Sequence, residues 1–300
     1  MNSAWFDKFF TYLTNEKRFS NHTLQAYQRD LNDFQTFCEE NALSSLKNVS
    51  VHSARQYLSY CHQRKLSGKS IQRRLSALRS FFRFLIREKY VTANPLDAVK
   101  APKNPQHLPK VIDIDQVQTL LKIDGNDPLI VRDIAILELF YACGLRLSEL
   151  VSLNMIDLDM TAKMLRVKGK GNKERLLPIG QYALTALNNW FALRKNWTNH
   201  DDQAVFISRR GTRISPRNIQ ARLQQWGVKQ GLNSNLHPHR LRHSFASHLL
   251  ESSGDVRAVQ ELLGHENLSS TQIYTHLDFQ YLASAYDQAH PRAKKHSKKQ

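Results

Sequence analysis

Acidic residues are the first thing this chain lacks: 26 Asp and Glu stand against 43 Lys and Arg in 300 residues, a formal charge of +17. A surplus of that size on a chain that is 41% apolar excludes a disordered acidic segment and points to a polyanionic partner. Cysteine is scarce too. Cys38, Cys61 and Cys143 are odd in number and widely spaced, with no Cys-x-x-Cys pair. That excludes a disulfide framework and a zinc knuckle, and it reads as reduced core thiols. No apolar run approaches the roughly 20 residues that span a bilayer, so no membrane insertion is expected. The stretch Met1 to Leu13 alternates apolar and polar residues and lacks the continuous apolar core of a signal peptide. The expected compartment is the cytoplasm.

Proline is rare, with 9 residues, but four of them, Pro95, Pro102, Pro105 and Pro109, fall close together beside Lys100, Lys103 and Lys110. Such spacing forbids a continuing helix and predicts an extended basic linker. At 300 residues the chain exceeds the usual size of one domain. The expected division is a domain over 1–99, a linker over 100–110 and a second domain over 111–300.

Upstream of the linker the pattern is helical. Ser20-Asn21-His22-Thr23 supplies caps, and Leu24, Tyr27, Leu31, Phe34 and Phe37 follow at spacings of three and four. A second helix beginning near Ser70 carries Ile71, Leu75, Leu78, Phe82 and Leu85 along one stripe. Arg73, Arg74, Arg79, Arg83 and Arg87 fall largely off it. A solvated charged face is one reading. A DNA-facing surface is favoured, with Arg73, Arg74, Arg79 and Arg83 as candidate contacts, because hardly any acid balances them. The first domain thus reads as a small all-helical DNA clamp.

Downstream the chain is mostly helical. The exception is Met164-Leu165-Arg166-Val167-Lys168 and Arg175-Leu176-Leu177-Pro178-Ile179 flanking Gly169-Lys170-Gly171-Asn172, which predicts a β-hairpin. Val205-Phe206-Ile207-Ser208 could add another short strand. The expected fold class is mainly α (α+β), with a small sheet in the second domain.

Three clusters there carry chemistry. In Leu236-His237-Pro238-His239-Arg240-Leu241-Arg242-His243-Ser244-Phe245, Pro238 suits the first turn of a helix, and Leu241, Phe245 and Leu249 form an inward row. His239 and Arg242, three apart, share the other face. His239 and His243 have the spacing of a helical zinc pair, yet no Cys or clear acidic ligand lies nearby, so no metal is expected. In Asp255 to His265, Asp255 can cap a helix, Gly264 can end it and His265 stands just outside. Ser269 and Gln272 fit a capping box for a further helix bearing Tyr274. In Leu137 to Leu150, an apolar helix stops at Gly144 and Arg146 begins the next. A cation at a helix N-terminus suits a bound phosphate, while an Arg146–Glu149 salt bridge is the structural alternative. The Gly169–Lys173 segment lacks P-loop spacing, so no nucleotide and no other cofactor is implied.

Together and in this order, Gly144-Leu145-Arg146-Leu147-Ser148-Glu149-Leu150, Lys170 in a hairpin, His239-Arg240-Leu241-Arg242-His243, Leu262-Leu263-Gly264-His265 and Tyr274 resemble the tyrosine recombinase (phage-integrase-type) family. The ending Tyr274-Thr275-His276-Leu277-Asp278-Phe279-Gln280, followed by Ala289-His290-Pro291-Arg292-Ala293-Lys294, resembles its bacterial Xer group, of the XerC type. The resemblance implies Tyr274 as nucleophile of a 3′-phosphotyrosyl intermediate, with Arg146, Lys170, His239, Arg242 and His265 as the remaining catalytic residues. It also implies a double-stranded recombination site, a tetramer shared with a related XerD-type recombinase, control by a septal DNA translocase, and the resolution of chromosome dimers. A phage or transposon integrase and a type IB topoisomerase-like enzyme use a similar residue set and stay open as alternatives. The basic end of the chain, from Arg292 on, reads as a solubilising tail.

Overall fold

Many of the described helices start where a Ser or Asp side chain accepts a backbone N–H. A computed structural model describes residues 3–102, 111–169, 174–197, 203–232, 236–263 and 290. The chain divides into two units, Met1–His107 and Leu108–Gln300, a division inside the proline-rich stretch. Most of that stretch, 103–110, lies outside the described residues.

The first unit comprises α1 (Ser3–Asn15), α2 (Asn21–Glu40), α3 (Val51–Gln63) and α4 (Gly68–Arg87). Ser20 caps α2, its hydroxyl accepting the Thr23 N–H at 3.3 Å, and Ser50 and Ser67 cap α3 and α4 in the same way. The α4 stripe of Ile71, Leu75, Leu78, Phe82 and Leu85 is fully buried. It packs on Leu31, Phe34 and Phe37 of α2, while Leu24 and Tyr27 of the same row are half-buried at the edge. Cys38 and Cys61 are buried free thiols in this core.

The second unit is built around α6 (Pro128–Cys143), which carries apolar side chains all round and is buried from Ala135 onward. It packs against α8 (Gln181–Arg194) and α10 (Pro238–Ser253). The row Leu241, Phe245 and Leu249 faces this core. Charged residues near the start of α6 are paired inside: Asp133 accepts from Arg132, from Trp226 Nε1 at 2.9 Å and from Arg222 at 2.5 Å. That pairing ties α6 to α9 (Pro216–Lys229), and α5 (Ile114–Leu121) packs on α6 as well. Gly144 ends α6 in the left-handed region at φ 56°. The short α7 (Leu147–Ser152) follows, and α11 (Val256–Leu263) comes last among the described helices. Asp255 caps α11 through the Ala258 N–H at 2.9 Å.

The sheet has three antiparallel strands, β1 (Leu158–Asp159), β2 (Met164–Lys168) and β3 (Glu174–Pro178), in the order β1-β2-β3. Leu165 pairs with Leu177 and Val167 with Arg175, and these four form the buried face. The hairpin therefore forms where its alternation placed it, with β3 starting one residue earlier. The expected strand at Val205–Ser208 does not form. Only isolated bridges occur, Asn154 with Ala204 and Ile207 with Arg213. Side chains of α8 take the carbonyls that a ladder would use: Trp190 Nε1 donates to Val205 O at 2.9 Å and Arg194 to Ala204 O at 2.6 Å. Among the described residues no helix is long and apolar enough to cross a membrane.

Phe82 packs edge-on against Phe34 and Phe81, with centroids 6.5 and 5.9 Å away. Phe82→Ala should therefore cost about 3–5 kcal/mol in urea unfolding of the first unit. Arg83→Ala, exposed one residue on, should change it by no more than about 0.5 kcal/mol. Equal effects would contradict this packing.

Candidate active site

The residues expected to hold a phosphate meet at one buried carboxylate, that of Glu149, which is 3% exposed. Gly144, in its left-handed turn, reverses the chain after α6 so that Arg146 becomes the N-cap of α7. No side chain fits at Gly144, because a Cβ would lie 2.3 Å from Cδ1 of Phe245. Glu149, three residues into α7, reaches back to accept the Arg146 backbone N–H at 2.8 Å, and its other oxygen accepts from Arg146 Nη1 at 2.9 Å. The salt bridge weighed as the structural alternative is therefore present. The first N–H of that terminus, the one on Arg146, is thereby taken by Glu149. What Arg146 can offer a ligand is its guanidinium, 37% exposed.

Arg242 comes to the same place from α10. Its Nη1 donates to Gly144 O at 2.6 Å and its Nη2 to Leu263 O at 2.5 Å, with Glu149 Oε2 3.9 Å from Nη1. Arg175 completes the cluster. From the buried face of β3 it grips both Glu149 oxygens, at 2.8 and 2.9 Å, and its Nε donates to Leu262 O at 3.0 Å. Nothing in the sequence reading singled out Arg175. The signal was there: it falls in phase with inward Leu177 and opposite inward Val167, and an arginine at an apolar-phase position needs a buried partner.

The electrostatics follow from this crowding. Burial alone would raise the Glu149 pKa, but hydrogen bonds and charge from Arg175, helped by Arg146, hold it below 4.5. Arg242 shows the reverse. Burial first, then the positive charge of Arg146, push it down to about 10, although Glu149 acts in the opposite direction. Among the described residues, Arg146, Arg175 and Arg242 gather at the Glu149 carboxylate, and an anion bound there would be favoured by their charge.

Of the other expected catalytic residues, His239 lies exposed in the first turn of α10, one turn before Arg242. Lys170, His265 and Tyr274 lie outside the described residues, as does the capping box at Ser269. The expected tail from Arg292 on also lies outside the described residues, and His290 just before it is buried against Tyr141 and Phe245. Burial holds its imidazole neutral, with a pKa near 3. Tyr141 and His248 hydrogen-bond beside it at 2.9 Å. Among the described residues no group of three or more His, Cys, Asp or Glu side chains is placed to hold a metal ion.

The expected DNA-facing arginines of the first unit are mostly engaged within it. Arg73 donates to Asp30 at 2.5 Å and to Ala26 O at 3.2 Å. Arg74 is held by Asp33 and Tyr57. Arg79 binds the carbonyls of Leu96 and Val99, while Arg83 is exposed. The expectation that hardly any acid balances this face is thus corrected. The acids come from α2, some forty residues away in the chain, where local sequence cannot show them.

Residues 110–281 match the phage integrase family, and residues 6–89 match the phage integrase N-terminal SAM-like domain. The tyrosine recombinases XerC of Escherichia coli O157:H7 (strain EC4115 / EHEC) and of strain K12 / DH10B are each 53% identical over 289 residues, covering 96% of this chain and 97% of theirs. Among solved structures, XerH site-specific recombinase bound to palindromic difH substrate aligns with TM-score 0.70 and 24% identity, over 88% of this chain and 79% of that one. A lambda integrase (75–356) dimer bound to a COC′ core site aligns with TM-score 0.69 and 18% identity, over 91% and 99%. At these identities the two structures bear on the fold alone.

The depressed Glu149 pKa has a pH consequence. A carboxyl whose folded pKa is lowered adds stability that is present above its unfolded value of 4.5 and is lost as pH falls through the folded value. Glu149→Gln should therefore flatten the acid side of the melting-temperature profile of the second unit below about pH 4.5. An unchanged acid limb would show that the carboxylate is not held as described.

Proposed function

Because this chain belongs to the phage integrase family and is a site-specific tyrosine recombinase of the XerC type, we propose that Arg146 and Arg242 clamp the scissile phosphate while Tyr274 attacks it. The observation that carries this reading is the pair of guanidiniums gathered at Glu149, where burial and the charge of Arg146 hold the Arg242 pKa down. Two planar donors can hold the non-bridging oxygens of one phosphodiester and stabilise the charge that develops on them.

The Tyr274 phenol, with a reference pKa of about 10, gives its proton towards His239 as its oxygen bonds to phosphorus. The bond from phosphorus to the 5′-oxygen breaks, and that oxygen takes a proton from Lys170. His265 donates a hydrogen bond to a phosphate oxygen. The product is a 3′-phosphotyrosine and a free 5′-hydroxyl. Since the phosphodiester bond energy is kept, another 5′-hydroxyl can reverse the step on a new strand without ATP. The guanidiniums supply the charge for which many nucleases use a divalent metal, so strand exchange needs none.

The enzyme acts on DNA, and its finer setting belongs to the same reading. The 1–99 region serves as a core-binding clamp, the 100–110 stretch as linker and 111–300 as catalytic domain. Arg83, exposed on α4, is the best placed of the four expected DNA contacts, ahead of Arg73, Arg74 and Arg79. The substrate is a chromosomal recombination site, bound by two copies each of this chain and a related XerD-type recombinase. A septal DNA translocase controls the tetramer, which resolves chromosome dimers at cell division in the cytoplasm.

On a nicked recombination site Tyr274→Phe should bind DNA normally yet form no covalent adduct, read by denaturing gel. Arg146→Lys and Arg242→Lys, which lose the planar fork, should each cut roughly 10²-fold more slowly or worse. A normal adduct from Tyr274→Phe, or near-full cleavage by both lysine variants, would overturn the assignment.

A further inference from the structure

The Glu149 cluster contains one cation that the cleavage chemistry does not use. Arg175 is 8% exposed and lies on the inward face of the hairpin, opposite Val167. It takes no part in the proposed cleavage steps. Yet it makes the most complete ion pair of the cluster, a two-pronged fork on both Glu149 oxygens with Nε on the end of α11.

We propose that Arg175 is a positioning residue that neutralises Glu149 from behind, so that the positive charge of Arg146 and Arg242 is kept for the scissile phosphate. This inference rests on the reading of those two arginines as the phosphate clamp. Glu149 also touches both clamp residues, with Arg146 Nη1 at 2.9 Å and Arg242 Nη1 at 3.9 Å. Were Arg175 absent, the carboxylate would be balanced by the clamp alone, and the phosphate would compete with Glu149 for the same donors. With Arg175 in place the set holds three cations and one anion, leaving two net positive charges. A phosphodiester brings one negative charge, and the pentacovalent transition state spreads a second over the same oxygens. Two positive charges match the transition state, and one would match only the ground state. Catalysis follows the first of these.

The geometry adds a second effect. Through one guanidinium Arg175 joins β3, α7 and the Leu262 carbonyl, and Arg242 holds the neighbouring Leu263 carbonyl. Strand, clamp helix and α11 are therefore fixed to each other at the carboxylate. Lysine would keep the charge but not the fork.

The test is the single-turnover rate of covalent adduct formation on a nicked recombination site, at saturating enzyme, with DNA affinity and melting temperature measured for each variant. Removing one unit charge at this range, in an effective dielectric of about 20, should slow Arg175→Met roughly 10- to 100-fold. Its DNA affinity should stay near that of the wild type. Arg175→Met combined with Glu149→Gln restores two net positive charges, and it should cleave faster than Arg175→Met alone. Arg175→Lys should remain within about tenfold of wild type, and it carries the test if methionine prevents folding. Arg146→Ala serves as the control: wild-type cleavage there would overturn the clamp reading itself. With Arg146→Ala impaired, three results would each overturn the role of Arg175 and leave the clamp standing. These are a wild-type rate for Arg175→Met, a double variant no faster than the single one, or a lysine variant as slow as Arg146→Ala. A loss seen only in melting temperature, with the rate of the bound complex unchanged, would overturn it too.

Discussion

A single buried carboxylate governs the second unit. Several guanidiniums cannot share a partly dry pocket unless an anion holds them, because a desolvated charge without a partner costs several kcal/mol. Glu149 is that anion, in a chain that has few to spare. It holds Arg146 from its own turn, Arg175 from the sheet, and stands 3.9 Å from Arg242 of α10. The surrounding backbone follows from this requirement. Gly144 must adopt a left-handed turn with no Cβ, both to let Phe245 pack and to bring its carbonyl to Arg242. The end of α11 must bring two carbonyls to two of the arginines. Cations at a helix C-terminus are also favoured by the helix dipole.

The first unit applies the same rule to a different end. Asp30 and Asp33 of α2 hold Arg73, Arg74 and Arg64, with the Tyr57 hydroxyl between them. These pairs join α2, α3 and α4 around an aromatic core. An arginine-rich helix is therefore not by itself a DNA surface, since part of its charge is used to fix helices to one another. Where pairing leaves a cation exposed, as at Arg83, the excess can face a polyanion.

Much of this was legible in the sequence, and the reasons are physical. Apolar spacing of three and four marked α2 and α4, Ser20 marked the start of α2, and Gly144 marked the end of α6, while the start of α4 lies at Gly68, capped by Ser67, rather than near Ser70. These signals are local, and each names its own structure. The hairpin was legible because alternation around Gly and Asn fixes both register and inward face. Arg146 and Arg242 were legible as chemistry because their motifs are short and distinctive. Other features depend on partners distant in the chain. Asp30 and Asp33 meet arginines some forty residues away, and Arg175 meets Glu149 across 26 residues. The Val205–Ser208 stretch carries an apolar run like a strand's, but Trp190 claims the Val205 carbonyl and Arg194 the Ala204 carbonyl just before it. Lys170, His265 and Tyr274 rest on motif and family membership.

In the proposed mechanism two arginines set around Glu149 receive one phosphate. The most direct measurement is an experimental structure of the Tyr274→Phe protein on an uncut recombination site. The guanidiniums of Arg146 and Arg242 are expected within hydrogen-bond distance of non-bridging oxygens on the same scissile phosphate, with Arg175 still on Glu149. A phosphate bound elsewhere, with both arginines still turned to Glu149 and Gly144, would contradict it.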